Sequence, residues 1–281
     1  MIEFIQSFGF YKVQIVTGAL SAAILAGLGV FVVLRRMVFA GVALSQAAST
    51  AVVVALLFEL HEAFGESLIL AITLVLFLPF YFLQMWQPAH SDAIFGTAFV
   101  VFAAVGQILL AVGAGAKNHL IAAFFGNIVT MSDQEWHHLW LPAILLLLLF
   151  VFLYHSFVSV SFDPVHARLS GLRVHVIDGL FFLMLSSSLT VSIYLMGSFY
   201  SIAHLIIPGL VGVMIARSIP VAILIAVVVS VLSTIVGFSV SLIPFTVGSD
   251  TINLPTSSSI ILMLSLWLGG WLVIRLFHKS Q

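Results

Sequence analysis

Apolar residues run along this chain in stretches of about 20, separated by short polar breaks, and that pattern predicts membrane-crossing helices. The runs fall at roughly 13–34, 38–58, 67–85, 93–113, 137–158, 176–196, 199–216, 219–241 and 257–277. A helix rises about 1.5 Å per residue, so runs of this length suit a hydrocarbon core about 30 Å thick. Transmembrane strands would instead appear as alternating segments of about ten residues. Only Gly197-Ser198 divides the sixth run from the seventh. If one of that pair is short or broken the count is eight, otherwise nine. The apolar piece His119–Asn127 is too short to cross and reads as interfacial or re-entrant.

Composition agrees. Of 281 residues, 62% are hydrophobic and only 7% charged, far more apolar surface than a soluble core absorbs. The expected fold is therefore an all-α polytopic membrane protein, with one integral domain over 1–281. What remains outside the runs leaves no room for an ATP-binding, nucleic-acid-binding or catalytic module. The first twelve residues hold Glu3 and Lys12 among aromatics, so no cleavable signal is expected. Cysteine is absent, which removes disulfides, thiolate metal sites and cysteine nucleophiles together. No nucleophile–base pair is visible, and the chain does not read as an enzyme.

Charge placement is more telling than the net charge of −1. With nine spans, Arg35, Arg36, Arg168, Arg173, Arg217, Arg275 and Lys279 share one side, against Lys12 and Lys117 on the other. The basic side is expected to be cytoplasmic. That puts the N-terminal segment 1–12 outside and the C-terminus inside. Glu3, Glu59, Glu62, Glu66, Asp133, Glu135 and Asp250 fall on the outer side. No Lys, Arg, Asp or Glu stands at mid-depth in a span, where proton-coupled carriers and voltage sensors keep theirs. Arg35-Arg36 is expected to anchor the first span at the headgroups, with contact to a cytoplasmic partner as the alternative.

The loop at 159–175 is polar and charged, between two long apolar runs. Asp163 is placed to cap a short helix that starts at Pro164, and Gly171 to end it. This predicts a rigid peg of about two turns. Within the spans the polar residues are mostly hydroxyls and amides. Gln46, Ser49 and Thr50 share a face at i, i+3 and i+4. With Ser45 they either line a path or bond between helices, the latter contributing about 0.6–2 kcal/mol per pair. His204, four residues before Pro208, is either a ligand in a broken-helix cavity or a packed histidine bonded to a hydroxyl. Gly18, Gly27, Gly29 and Gly212 are candidates for close helix packing.

The histidines and acids at His61, Glu62, Glu66, His119, Asp133, Glu135, His137 and His138 form a metal-gathering vestibule, a solvated rim or a protein-docking rim. His61-Glu62 begins like a zinc-protease motif, but Gly65 stands where the second histidine is required.

Several segments, taken in order, resemble the permease subunits of zinc/manganese-type ABC importers, the ABC-3 family. They are Gly29 to Arg35-Arg36-Met37 to Gly41 with Ala43-Leu44-Ser45, then Phe125-Gly126-Asn127-Ile128 with Ser132-Asp133. Ser161-Phe162-Asp163-Pro164 to Ala167-Arg168 and Gly171 follow, then Leu205-Ile206-Ile207-Pro208 to Ala216-Arg217. The likeness spans about residues 25–275. It implies a type II importer-like permease in a bacterial inner membrane, working as a homodimer. The implied partners are a cytoplasmic ATPase that uses the ATP and an extracytoplasmic solute-binding protein that delivers a divalent metal. No cofactor bound to the chain and no nucleic acid are implied. Phe162, Asp163, Pro164, Ala167, Arg168 and Gly171 correspond to the helix that couples to the ATPase. One departure stands out. The family's second-span aspartate and histidine, which contact the passing ion, are here Val42 and Gln46. Valine is no ligand and a neutral amide is a poor one. Cargo then passes with fewer protein contacts, finds ligands elsewhere such as His204, or is not a free metal.

Overall fold

The computed structural model describes residues 11–58, 60–112, 133–247, 250–252 and 254–279. Within them the chain forms α1 (Lys12–Leu34), α2 (Val38–Leu57), α3 (Leu60–Trp86), a 3-10 turn (Pro88–His90) and α4 (Ser91–Val112). Then come α5 (Asp133–Phe162), the short α6 (Pro164–Leu169), α7 (Val174–Met196), α8 (Ser198–Ile215), α9 (Ile219–Ser241) and α10 (Thr256–Lys279). Among the described residues nine helices are long and apolar enough to cross a membrane. Between α9 and α10 a two-stranded antiparallel hairpin, β1 (Phe245–Val247) and β2 (Asp250–Ile252), adds a feature the hydropathy pattern does not announce. The piece at 119–127 lies outside the described residues.

The seventh span is complete because Gly197 reverses the chain in a single residue. Its φ of 89° and ψ of 162° lie in a region open essentially to glycine alone, so α7 and α8 stack with no further loop.

Helices α1 and α2 are the centre, 72% and 78% buried over their apolar windows, whereas α3 and α5 are each 17% buried and turn most of their surface outward. α1 packs on α8 and α9, and α2 on α3, α4 and α7. The α1–α8 approach is backbone to backbone: a side chain at Gly29 would strike the Leu205 carbonyl, and a Cβ at Gly209 would lie 2.6 Å from the Gly29 carbonyl carbon. A Cβ at Gly212 would likewise strike the Ala222 carbonyl. Gly27, expected to serve the same purpose, does not. A Cβ there would meet nothing within 4 Å. It instead lines a cavity of about 90 Å³ with Leu146, Phe150 and Met184. Towards the α1 C-terminus, Phe31 sits edge-on to Phe150, Phe157 and Phe181 at 5.7, 6.0 and 6.5 Å between ring centres, a packed aromatic core.

Candidate functional site

The expected peg is α6. The carboxylate of Asp163 accepts from the backbone N–H groups of Val165 (3.0 Å) and His166 (2.9 Å), and Pro164 is the first helical residue. At the other end Gly171, with φ of +85°, lets its own N–H reach Arg168 O (3.1 Å) and that of Leu172 reach Ala167 O (3.0 Å). These two bonds are the Schellman closure that a left-handed glycine permits. Ala167 is the buried residue of α6. Val165 and Leu169 of α6 are 67% and 83% exposed and share a face at i and i+4, and Phe162, at the end of α5 just before the Asp163 break, is 66% exposed. Arg168 is exposed on the same short helix. A short, doubly capped helix therefore offers an apolar ridge at the end of the bundle where α1, α3, α5 and α8 finish.

Arg35 is not the headgroup anchor expected of it. Only 7% of its side chain is exposed, and Nη1 donates to Asp178 Oδ1 at 2.8 Å. Its Nε donates to Ser161 Oγ at 2.8 Å. The guanidinium lies over the Phe181 ring at 4.6 Å and near that of Phe157 at 5.9 Å. Burial pulls its pKa below the ordinary guanidinium value, while the charge and hydrogen bond of Asp178 push it back up. Arg36 is the exposed member of the pair, in the left-handed region at φ 56°. Its N–H bonds Val33 O, and that of Met37 bonds Val32 O, so the α1–α2 corner closes as α6 does. A cavity of about 520 Å³ opens beside the ion pair, walled by Tyr81 and Gln84 of α3, Arg168 and His175.

The candidate path residues are buried together on α2. Ser45, Ser49 and Thr50 spend their hydroxyls on carbonyls of their own helix, at Val42, Ser45 and Gln46 respectively. Thr50 also reaches Phe102 O of α4 at 3.0 Å. Gln46 is 8% exposed, and Val42 is half-buried one turn before it. His204 of α8 is elsewhere and fully enclosed. Its Nδ1 is 2.6 Å from Ser230 Oγ and its Nε2 3.3 Å from Thr234 Oγ1, both on α9, with Tyr200 against its ring. Ser230 in turn donates to Ala22 O, and Tyr200 to Gly18 O. This net ties α8 and α9 to α1. Among the described residues no three His, Cys, Asp or Glu side chains gather as a metal centre. Of the candidate vestibule histidines and acids, His119 lies outside the described residues and the others fall in the opening turns of α3 and α5.

The sequence profile of the ABC 3 transport family matches residues 7–273. The chain belongs to that family. Among curated relatives it is 28% identical over 235 residues to the manganese transport system membrane protein MntC of Halalkalibacterium halodurans, covering 83% of this chain and 79% of the relative. It is 24% identical over 234 residues to a probable iron transport system membrane protein of Haemophilus influenzae, covering 83% and 85%. The fold matches that of a chain in the structure of PsaBC from Streptococcus pneumoniae in complex with Fab, with TM-score 0.81 and 22% identity over 95% of this chain and 94% of that one.

In this ABC 3 family chain, the sequence candidates include the capping residues of α6 but not Asp178. A signal for it exists: a lone carboxylate one turn inside a span needs a cation, and Arg35 stands at the same end of the bundle.

Proposed function

We propose that the chain is the membrane permease of an ATP-driven importer carrying a divalent transition metal ion, with manganese or iron favoured over zinc by the names of its relatives. The observation that carries this reading is α6, a doubly capped helix on the family's coupling motif that exposes Val165 and Leu169 beside the exposed Phe162 at the end of α5. Phe162, Asp163, Pro164, Ala167, Arg168 and Gly171 then seat a cytoplasmic ATPase, one under each of two copies of the chain. An extracytoplasmic binding protein delivers the cargo. ATP binding draws the ATPases together, the pegs move with them, and the bundle alternates between outward and inward openings. The clustering of basic residues at the α6 end supports a cytoplasmic position for that face, an outside N-terminus and an inside C-terminus.

A second reading changes only the cargo. Val42 and Gln46 supply at most one weak oxygen donor, which suits a chelated metal or another small solute better than a bare ion. Ser45, Gln46 and Ser49 remain the path candidates on either reading. His204 could serve only by giving up its bonds to Ser230 and Thr234.

The test is to purify the chain with whatever ATPase and binding protein accompany it, and to measure manganese(II) uptake into liposomes. Uptake that needs both partners and ATP supports the importer. Uptake by the chain alone would make it a channel or carrier. ATP hydrolysis stimulated by the loaded binding protein, without uptake of manganese, iron or zinc, would favour the second reading.

A further inference from the structure

We propose that Arg35 is a positioning residue that ties both helices flanking α6 to the α1–α2 corner, so that movement of α6 reaches the central helices. This rests on the importer reading. The peg's own hold on the bundle is slight, since Ala167 is its buried residue. A push on such a peg would be absorbed in its connections, Asp163 on one side and 170–173 on the other, unless something stiffens them.

Arg35 is placed to do that. Its Nε holds Ser161, in the last turn of α5 just before the peg, and its Nη1 holds Asp178, in the second turn of α7 just after it. One side chain thus grips the helix entering α6 and the helix leaving it. The planar guanidinium fixes the directions of both bonds, which an ammonium on a flexible stem would not. Phe157 and Phe181 lie against the guanidinium, whose side chain is only 7% exposed, while Asp178 at 32% faces the cavity, so the fork itself is held by packing as well as by its two bonds.

What Arg35 holds is then joined to the centre. The chain turns at Arg36 and Met37 through two backbone bonds back into α1, and passes directly into α2. α2 carries Ser45 and Gln46, and α1 lies backbone to backbone on α8. A shift of the peg therefore reaches the candidate path and the most buried helices through one charged fork.

A simple staple would affect stability alone. A transmission element changes how much cargo moves per ATP. The experiment places the wild-type permease, with its ATPase and binding protein, in liposomes and records manganese(II) uptake and phosphate release together. Four variants follow: Ser161→Ala, Asp178→Asn, Arg35→Lys, and Arg35→Gln with Asp178→Asn. The double variant is expected to hydrolyse ATP while its manganese-to-phosphate ratio falls about tenfold, within the usual range of coupling between sites. Ser161→Ala and Asp178→Asn should each lower the ratio by about two- to fivefold. Arg35→Lys should fall between wild type and the double variant, keeping the charge without the fork.

An unchanged ratio in Ser161→Ala and the double variant, with coupled wild type, overturns the proposal and leaves the importer reading intact. If the double variant fails to assemble, Ser161→Ala decides alone, because it removes a single oxygen. A wild-type arm without ATP-dependent uptake overturns the importer reading itself, and the transmission role with it.

Discussion

Gly29 of α1 lies against the carbonyl of Leu205 in α8 so closely that a methyl group at position 29 would overlap it. The contact is mutual, since a Cβ at Gly209 would come within 2.6 Å of the Gly29 carbonyl carbon and 2.7 Å of its oxygen. Lipid tails are as apolar as leucine, so helices in a bilayer gain little from hydrophobicity and associate through close packing. Here that packing is main chain on main chain.

Gly29→Ala is accordingly expected to destabilise the bundle by about 3 kcal/mol, the upper end of overpacking costs. Gly27→Ala, two residues earlier and facing open space, should be neutral within about 0.5 kcal/mol. Thermal unfolding of both in detergent checks this. Equal melting temperatures would mean that α1 and α8 are not in contact at Gly29.

The peg gives a second expectation. Asp163→Ala removes the side-chain acceptor for two N–H groups and should cost the short helix about 1 kcal/mol. Asp163→Asn keeps an acceptor and should behave nearly as wild type. Gly171→Ala forces alanine to a φ of +85° and should cost about 1–2 kcal/mol. Because α6 is only six residues long, such losses unravel it locally and leave the bundle folded. The readout is ATPase co-purification and stimulation, with thermal stability unchanged.

His204 tests the difference between a packed and a transporting histidine. His204→Ala should lower stability by about 2–4 kcal/mol, through lost packing on Tyr200 and the cavity left behind. Ser230 and Thr234 keep their carbonyl acceptors, so neither is orphaned. The KM for manganese uptake by the protein that still folds should stay within about twofold, since under 0.5 kcal/mol of binding would be lost. A rise of tenfold or more would make His204 a ligand.

Restoring the family's second-span pair separates the two cargo readings. Val42→Asp with Gln46→His places a carboxylate and an imidazole one turn apart on α2, a spacing that lets both face one ion. Manganese(II) uptake should rise, or persist with a lower KM, if the cargo is a free ion. A fall in ATPase stimulation by the native loaded binding protein would indicate a cargo that the neutral pair was suited to pass.

Much of this protein is local chemistry, and that much is legible in its order of residues. Span length, the grouping of basic residues at one end, and the Asp163, Pro164 and Gly171 caps depend on interactions within five residues or on transfer to a bilayer. Composition and order therefore suffice for them. Gly27 and Gly29 look alike to any such reading and differ only in what lies opposite. Arg35 looked like a surface anchor because its partners stand 126 and 143 residues away, at Ser161 and Asp178. His204 has two readings in the sequence, and only the fold shows that Ser230 and Thr234 of the next helix bond its nitrogens. Such contacts come from the packed bundle alone, because a buried charge or a missing side chain takes its meaning from its neighbours, and in a helical bundle those come from distant parts of the chain.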